Sequence, residues 1–146
     1  MLIAKDQLCA LIPHAGSMCL LDDVLQWDDE QIICQARSHQ LPDNPLRCEQ
    51  GLSAIQGIEY GAQAMAVHGG LLAQRDGAPI SPGVLVAARE ITVNIEWLDH
   101  VAEPLIITAH KIIRDHRHCR YEFVLSAEDQ ALVGGSVTVM METPLT

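Results

Sequence analysis

Gln56, Glu59 and Gln63 fall at i, i+3 and i+7 in the stretch from Gly51 to Gly70, GLSAIQGIEYGAQAMAVHGG. At about 100° per residue they make one narrow polar line on a helix. The other positions, Leu52, Ala54, Ile55, Ile58, Ala62, Met65, Ala66 and Val67, cover so much of the wheel that burial on most sides is expected. A carboxylate inside such a helix is costly unless it is hydrogen-bonded or protonated, and burial favours the protonated form that a general acid needs. The competing reading of a single helical Glu is a solvated surface residue. Gly57 and Gly61, which let a sheet approach closely, and the Ala and Ile flanks favour the buried one.

Other groups that could do chemistry are thinly spread. His68 shares the helix with Glu59, but nine residues at about 100° each put it on the opposite face, so a core or interface histidine is the better reading. His116 and His118 form an HxH in a turn with no second ligand pair, which is weak support for zinc, and no metal is expected. Cys9, Cys19, Cys34, Cys48 and Cys119 are odd in number and contain no CxxC, so they read as reduced, mostly buried small hydrophobes. Lys111, Arg114, Arg117 and Arg120 supply four of the nine basic residues within KIIRDHRHCR. That cluster is either a solvated hairpin end or a landing site for an acidic partner.

The elements that must position these residues follow from the pattern. At 146 residues with 49% hydrophobic content, residues 1–146 are expected to form one domain with a substantial core. A formal net charge of −10 argues against a nucleic-acid partner. No apolar run approaches the ~18 residues of a membrane span, and MLIAKDQLCALIPH lacks the basic start and cleavage site of a signal peptide, which points to a cytoplasmic protein.

The spacing predicts a short helix over 2–12 stopped by Pro13, strands over 18–27 and 31–39, and a loop over 40–51. The central helix is expected over 52–69, ending at Gly69-Gly70, with a second loop over 74–83. Residues 84–98, 104–114, 119–127 and 131–142 read as four successive strands in an antiparallel meander. The predicted class is α+β: a sheet of about six strands curled around one long helix, with a dimer joining edge strands or helix loops.

These residues carry a family resemblance. Ile12-Pro13-His14 with Met18-Cys19-Leu20-Leu21-Asp22 is similar to an LPHRxPxLLVD opening. Gly57-Ile58-Glu59-Tyr60-Gly61-Ala62-Gln63-Ala64-Met65-Ala66 is similar to a central-helix IEAMAQ pattern, and LVGGSVTVMM resembles a last strand. The chain thus resembles a hot-dog-fold 3-hydroxyacyl-acyl-carrier-protein dehydratase of the FabA/FabZ-like group, and more closely the divergent branch of aryl-polyene-type clusters. The resemblance implies a homodimer or a heterodimer with another hot-dog subunit, with active sites at the subunit interface. It also implies no metal or diffusible cofactor, and a substrate carried on the phosphopantetheine of an acyl carrier protein.

Within it Glu59 becomes the acid of a catalytic pair, and backbone N–H groups near Gly51, Leu52 and Ser53 become donors to the thioester carbonyl. Ile55, Ile58 and Met65 would line an acyl tunnel, Asn44, Gln63 and Tyr60 are candidate substrate contacts, and Lys111 to Arg120 become the carrier-protein dock. The base is a departure. The family's GHFPG histidine has no counterpart here, where Asn44-Pro45-Leu46 stands near that place. His14 is the first candidate to replace it, against a role in bracing its own loop, and His39 is the second. Two readings stay beside the dehydratase: a hot-dog thioesterase, and a non-catalytic subunit that completes a dimer.

Overall fold

A computed structural model describes residues 3–12, 18–79, 83–115 and 117–141. Its elements in chain order are β1 (Ile3–Ala4), α1 (Lys5–Cys9), β2 (Asp23–Trp27), β3 (Gln31–Ala36), α2 (Gly57–Arg75), β4 (Gly83–Val93), β5 (Leu105–Arg114), β6 (His118–Ala127) and β7 (Gln130–Met141). Single 3-10 turns occupy Ser38–Gln40, Ala54–Gln56 and Leu98–His100. The strands form one seven-stranded sheet in the order β1-β2-β3-β5-β6-β7-β4. Every neighbouring pair is antiparallel.

The sheet wraps α2 because alternate residues of the central strands are apolar on one face only. In β6, Cys119, Tyr121, Phe123 and Leu125 are buried between exposed Arg120, Glu122 and Val124. Ile32, Cys34, Leu105, Ile107, Val133 and Val137 extend that face across the neighbouring strands. Helix α2 lies close against it because it carries glycine where it crosses β6. A Cβ on Gly61 would stand 2.6 Å from the Phe123 ring, and one on Gly57 would meet Leu125 at 3.1 Å.

Several expectations are corrected. Seven strands replace about six, since Ile3–Ala4 pairs with β2 ahead of a helix that covers only Lys5–Cys9. The four later strands are not one meander. β4 lies on the far edge beside β7, and β5 returns to pair with β3, so only β5, β6 and β7 follow one another. The connection through Leu98–His100 carries the chain back.

The central helix is also displaced. It begins at Gly57, because Ser53 is held extended by a bridge to Trp97, and it runs through Gly69-Gly70 to Arg75. Gly70 is there for packing, since a Cβ would meet Leu11 at 3.0 Å. The actual stop is Gly77 in the left-handed region at φ +67°, where Gly77 N–H bonds Gln74 O and Ala78 N–H bonds Ala73 O in a Schellman ending. The cysteines are not all reduced: Cys9 and Cys19 form a disulfide with Cα atoms 5.8 Å apart, while Cys34, Cys48 and Cys119 are free. No helix among the described residues is long and apolar enough to cross a membrane.

Candidate active site

Helix α2 presents different chemistry on its two sides. The sheet side carries Tyr60, Gly61, Ala64, Val67 and His68, all buried. The opposite side carries Glu59, Ala62, Ala66, Gly69 and Ala73, which line a cavity of about 460 Å³ together with Ala10, Leu11, Ile12, Met18, Met65, Leu85, Tyr121 and Val139. From Glu59 to Ala73 the helix rises about 21 Å, so the cavity is long enough for an extended acyl chain. Glu59 and Arg114 are its only charged lining residues among those described. Glu59 is half-buried rather than enclosed, because small residues on its own face leave the cavity open beside it.

Gln63 sits one turn beyond Glu59 and also lines the cavity. It is held at 8% exposure by two backbone hydrogen bonds. Its Oε1 accepts the Leu20 N–H at 2.8 Å and its Nε2 donates to Met18 O at 2.5 Å. That pattern is a strand-like pairing made by a side chain, and it fastens the Met18–Leu20 segment to the helix beside the carboxylate. Gln63 is thereby committed to the wall. His14 lies outside the described residues, as does His116; the nearest described residues before and after His14, Ile12 and Met18, both line the Glu59 cavity.

The remaining candidate residues separate from the cavity. Asn44 is buried, and both its amide hydrogens are engaged, donating to Ser38 O at 2.8 Å and to the Tyr60 hydroxyl at 3.1 Å. Its Oδ1 accepts the Leu46 N–H at 2.9 Å. Ser38 donates to Leu20 O at 2.7 Å, so its oxygen accepts the Tyr60 O–H at 2.8 Å and closes the network. Asn44 and Tyr60 therefore brace the loop of residues 38–46 instead of facing a substrate. Burial raises the Tyr60 hydroxyl above its ordinary range, against the pull of Ser38 and Asn44, and keeps it neutral.

Two of the three expected carbonyl donors, at Gly51 and Leu52, are engaged as well. Gly51 N–H bonds Cys48 O at 3.1 Å in a tight turn that needs φ +130°, and Leu52 N–H bonds Asp99 Oδ1 at 2.9 Å. Asp99, which sequence reasoning passed over, packs against Gly51 so closely that a Cβ there would stand 2.6 Å from its carboxylate. Partial burial raises the Asp99 carboxyl, but the backbone N–H groups of Leu52 and Asp99 and the nearby Arg47 outweigh it and hold it below the usual range. Arg47 lies 3.7 Å away. Ile55 is 48% exposed and does not line the cavity, whereas Met65 does.

The two described histidines with buried rings serve the scaffold. His39 is fully buried, with Nε2 donating to Val101 O at 3.0 Å. His68 donates from Nε2 to Asp28 O at 2.6 Å, which leaves Nδ1 to accept the Tyr121 O–H in a short hydrogen bond. Burial lowers both imidazoles from their ordinary range, and the neutral form is the one in which His68 Nδ1 accepts from Tyr121. Burial likewise raises Tyr121, and it pushes Cys119 up to about 11.

Strand register divides the basic cluster. Lys111 pairs with Tyr121 and Arg114 with Cys119, on the helix side, while Arg120 pairs with Ile113 and points to the outer side. Arg117 sits exposed in the turn, its N–H bonded to Asp115. Among the described residues no group of His, Cys, Asp and Glu could hold a metal ion.

Residues 7–145 match the family model described as ApeP-like, ApeP dehydratase. No curated protein matches the sequence. Among solved structures, the chain is similar to the dehydratase heterocomplex ApeI:P from Xenorhabdus doucetiae, at 22% identity and TM-score 0.84 over 98% of this chain and 93% of that one. It is also similar to zebra fish thioesterase superfamily member 2, at 16% identity and TM-score 0.63 over 94% of each chain. A hypothetical thioesterase with coenzyme A from Streptococcus pneumoniae TIGR4 follows, at 11% identity and TM-score 0.60 over 85% and 88%. These likenesses establish the hot-dog fold; the family match covers nearly the whole chain.

Proposed function

The chain belongs to the ApeP-like dehydratase family, and from that premise we propose that it removes water from a 3-hydroxyacyl thioester carried on the phosphopantetheine of an acyl carrier protein, in aryl-polyene-type biosynthesis. The observation that carries this reading is Glu59, half-buried in the wall of a long apolar cavity. The acyl chain lies along Ala62, Met65, Ala66 and Leu85. His14 takes the C2 proton, the C2–H electron pair becomes the C2–C3 double bond, and Glu59 protonates the C3 hydroxyl as the C3–O bond breaks and water leaves. The chemistry uses no metal and no diffusible cofactor, and we assign it to the cytoplasm.

A second subunit belongs to the proposal. β4 is an outermost strand whose outer edge has no neighbour among the described residues, and it exposes Val84, Leu85, Val86 and Val93. An unprotected edge of this length is a template for pairing with another chain. Leu85 and Gly83 of that strand also line the cavity, so a partner seated there forms part of the site. With Gly51 and Leu52 N–H engaged inside this chain, a hot-dog partner in a heterodimer is a natural source of further donors to the thioester carbonyl. Arg114 at the cavity, with Lys111, Arg117 and Arg120 nearby, remains the proposed contact for an acidic carrier protein.

One observation favours the reading as a non-catalytic subunit: no described histidine lines the cavity. Mass spectrometry of a 3-hydroxyacyl carrier protein, incubated with the chain alone and with its partner, separates the cases. Loss of water that disappears in both Glu59→Gln and His14→Ala establishes the acid–base pair. Water loss by the complex that survives both substitutions assigns catalysis to the partner, and release of a free thiol assigns a thioesterase.

A further inference from the structure

The Cys9–Cys19 disulfide joins two wall segments of the Glu59 cavity. Cys9 ends helix α1 immediately before Ala10, Leu11 and Ile12, and Cys19 follows Met18; all four of these neighbours line the cavity. The two sides are anchored unequally. The Cys19 side is fixed to α2 by Gln63, through Met18 O and Leu20 N–H. The Cys9 side belongs to a helix of five residues that buries only Leu8 and has no side-chain cap at its start. So short a helix has little stability of its own. Its other ties are the pairing of β1 with β2 just before it, the burial of Leu8, Leu11 and Ile12, the Lys5 hydrogen bonds to Cys19 O at 3.2 Å and Leu21 O at 2.7 Å, the Lys5–Asp22 ion pair at 3.4 Å, and the packing of Leu11 on Gly70. The disulfide is a covalent cross-link that carries the position of α2 through Gln63 to Leu11 and Ile12.

We propose that Cys9 and Cys19 are a redox-dependent positioning pair, whose bridged form sets the cavity wall of Leu11, Ile12 and Met18 for substrate and whose dithiol form relaxes it. The inference rests on the reading of the cavity as the acyl site. Opening the bridge takes two electrons and two protons from a dithiol reductant, breaking the S–S bond to give two thiols while the reductant is left as its own disulfide. The reverse reaction with an oxidised dithiol closes it. Most disulfides that occur in a reducing compartment are reversible in this way.

The test uses the protein purified with its partner and without reductant. Peptide mapping under denaturing, alkylating conditions is expected to link Cys9 to Cys19 and to leave Cys34, Cys48 and Cys119 free; failure to find that link even after mild oxidation overturns the proposal. Kinetics are then compared before and after a phosphine, which, unlike a thiol, does not attack the thioester. Reduction is expected to raise KM for a 3-hydroxyacyl pantetheine thioester about fivefold while kcat changes less than twofold, as for loss of uniform binding. Reoxidation restores it. Cys9→Ser/Cys19→Ser should resemble the reduced protein and ignore both reagents, and Cys48→Ser should behave as native. Equal KM in both redox states, or a response that persists in the double variant, overturns the proposal. Calorimetric binding of the 3-hydroxyacyl pantetheine amide keeps it separate from the catalytic reading. Redox-dependent affinity without turnover retains the latch and removes the dehydratase; redox-independent affinity removes the latch.

Discussion

On one side of helix α2 the hydroxyl of Tyr60 is held in a closed hydrogen-bond network inside the chain, and on the other side, one residue away, a carboxylate faces a cavity. Tyr60, Ser38 and Asn44 form a network in which the hydroxyls and both amide hydrogens are engaged. Glu59 lines open space between small residues. The difference is what separates scaffold from site: a buried polar group without a partner is costly, so the first network must be complete, whereas a reacting group must leave room for what it acts on. Gln63 shares both characters. It faces the cavity, yet its amide is committed to Met18 and Leu20, so it holds the wall rather than the substrate.

Substitutions can sharpen that contrast. Filling the open side should abolish function and spare the fold. Ala66→Phe places a ring in the cavity and is expected to lower kcat/KM for long acyl substrates by about 100-fold, roughly 2.7 kcal/mol, with a melting temperature close to native. Crowding the closed side should do the reverse. In Gly61→Ala the new Cβ meets the Phe123 ring at 2.6 Å, and chemical denaturation should show a loss of about 1–3 kcal/mol. Tyr60→Phe removes one donor and one acceptor from the network and is expected to cost about 1–2 kcal/mol, with turnover retained when measured well below the melting temperature.

Acidification makes a smaller and more diffuse change, and it too acts on the closed side. His39 and His68 are held neutral, their folded pKa values lowered from 6.5 chiefly by burial. Their contribution to stability is complete above the unfolded value and is lost as pH falls from about 6.5 toward the lowered folded values, because the unfolded chain then binds protons that the fold resists. Thermal melts between pH 8 and pH 5 should show this decline, and His39→Gln with His68→Gln should flatten it.

Much of the closed side was legible in the sequence, because burial leaves a pattern. The alternation in the later strands located β4, β5, β6 and β7 to within a few residues, except that β4 stops at Val93. Gly57 and Gly61 announced the close approach to the sheet. Strand order was not legible, since alternation shows that a strand has two faces and says nothing of its neighbours; β4 beside β7 follows from where α2 delivers the chain. Gly69-Gly70 read as a stop because glycine usually ends helices, but here the pair lines a cavity and admits Leu11, and Gly77 makes the ending. Leu52 looked like a free donor because its acceptor, Asp99, is distant in sequence; the Gly51 N–H is taken up by a local turn to Cys48 O. The Cys9–Cys19 bridge gave no signal, for five scattered cysteines favour no particular pair.

Glu59 was singled out by phase and composition alone, and one paired measurement bears on it most directly. Native complex, Glu59→Gln and Tyr60→Phe are compared side by side by mass-spectrometric loss of water from a 3-hydroxyacyl carrier protein, at a temperature where all three are folded. The account predicts that Glu59→Gln loses at least about 100-fold in rate with its melting curve intact, while Tyr60→Phe keeps its rate and melts earlier. A Glu59→Gln complex that dehydrates at the native rate would contradict the assignment of this cavity as the catalytic site.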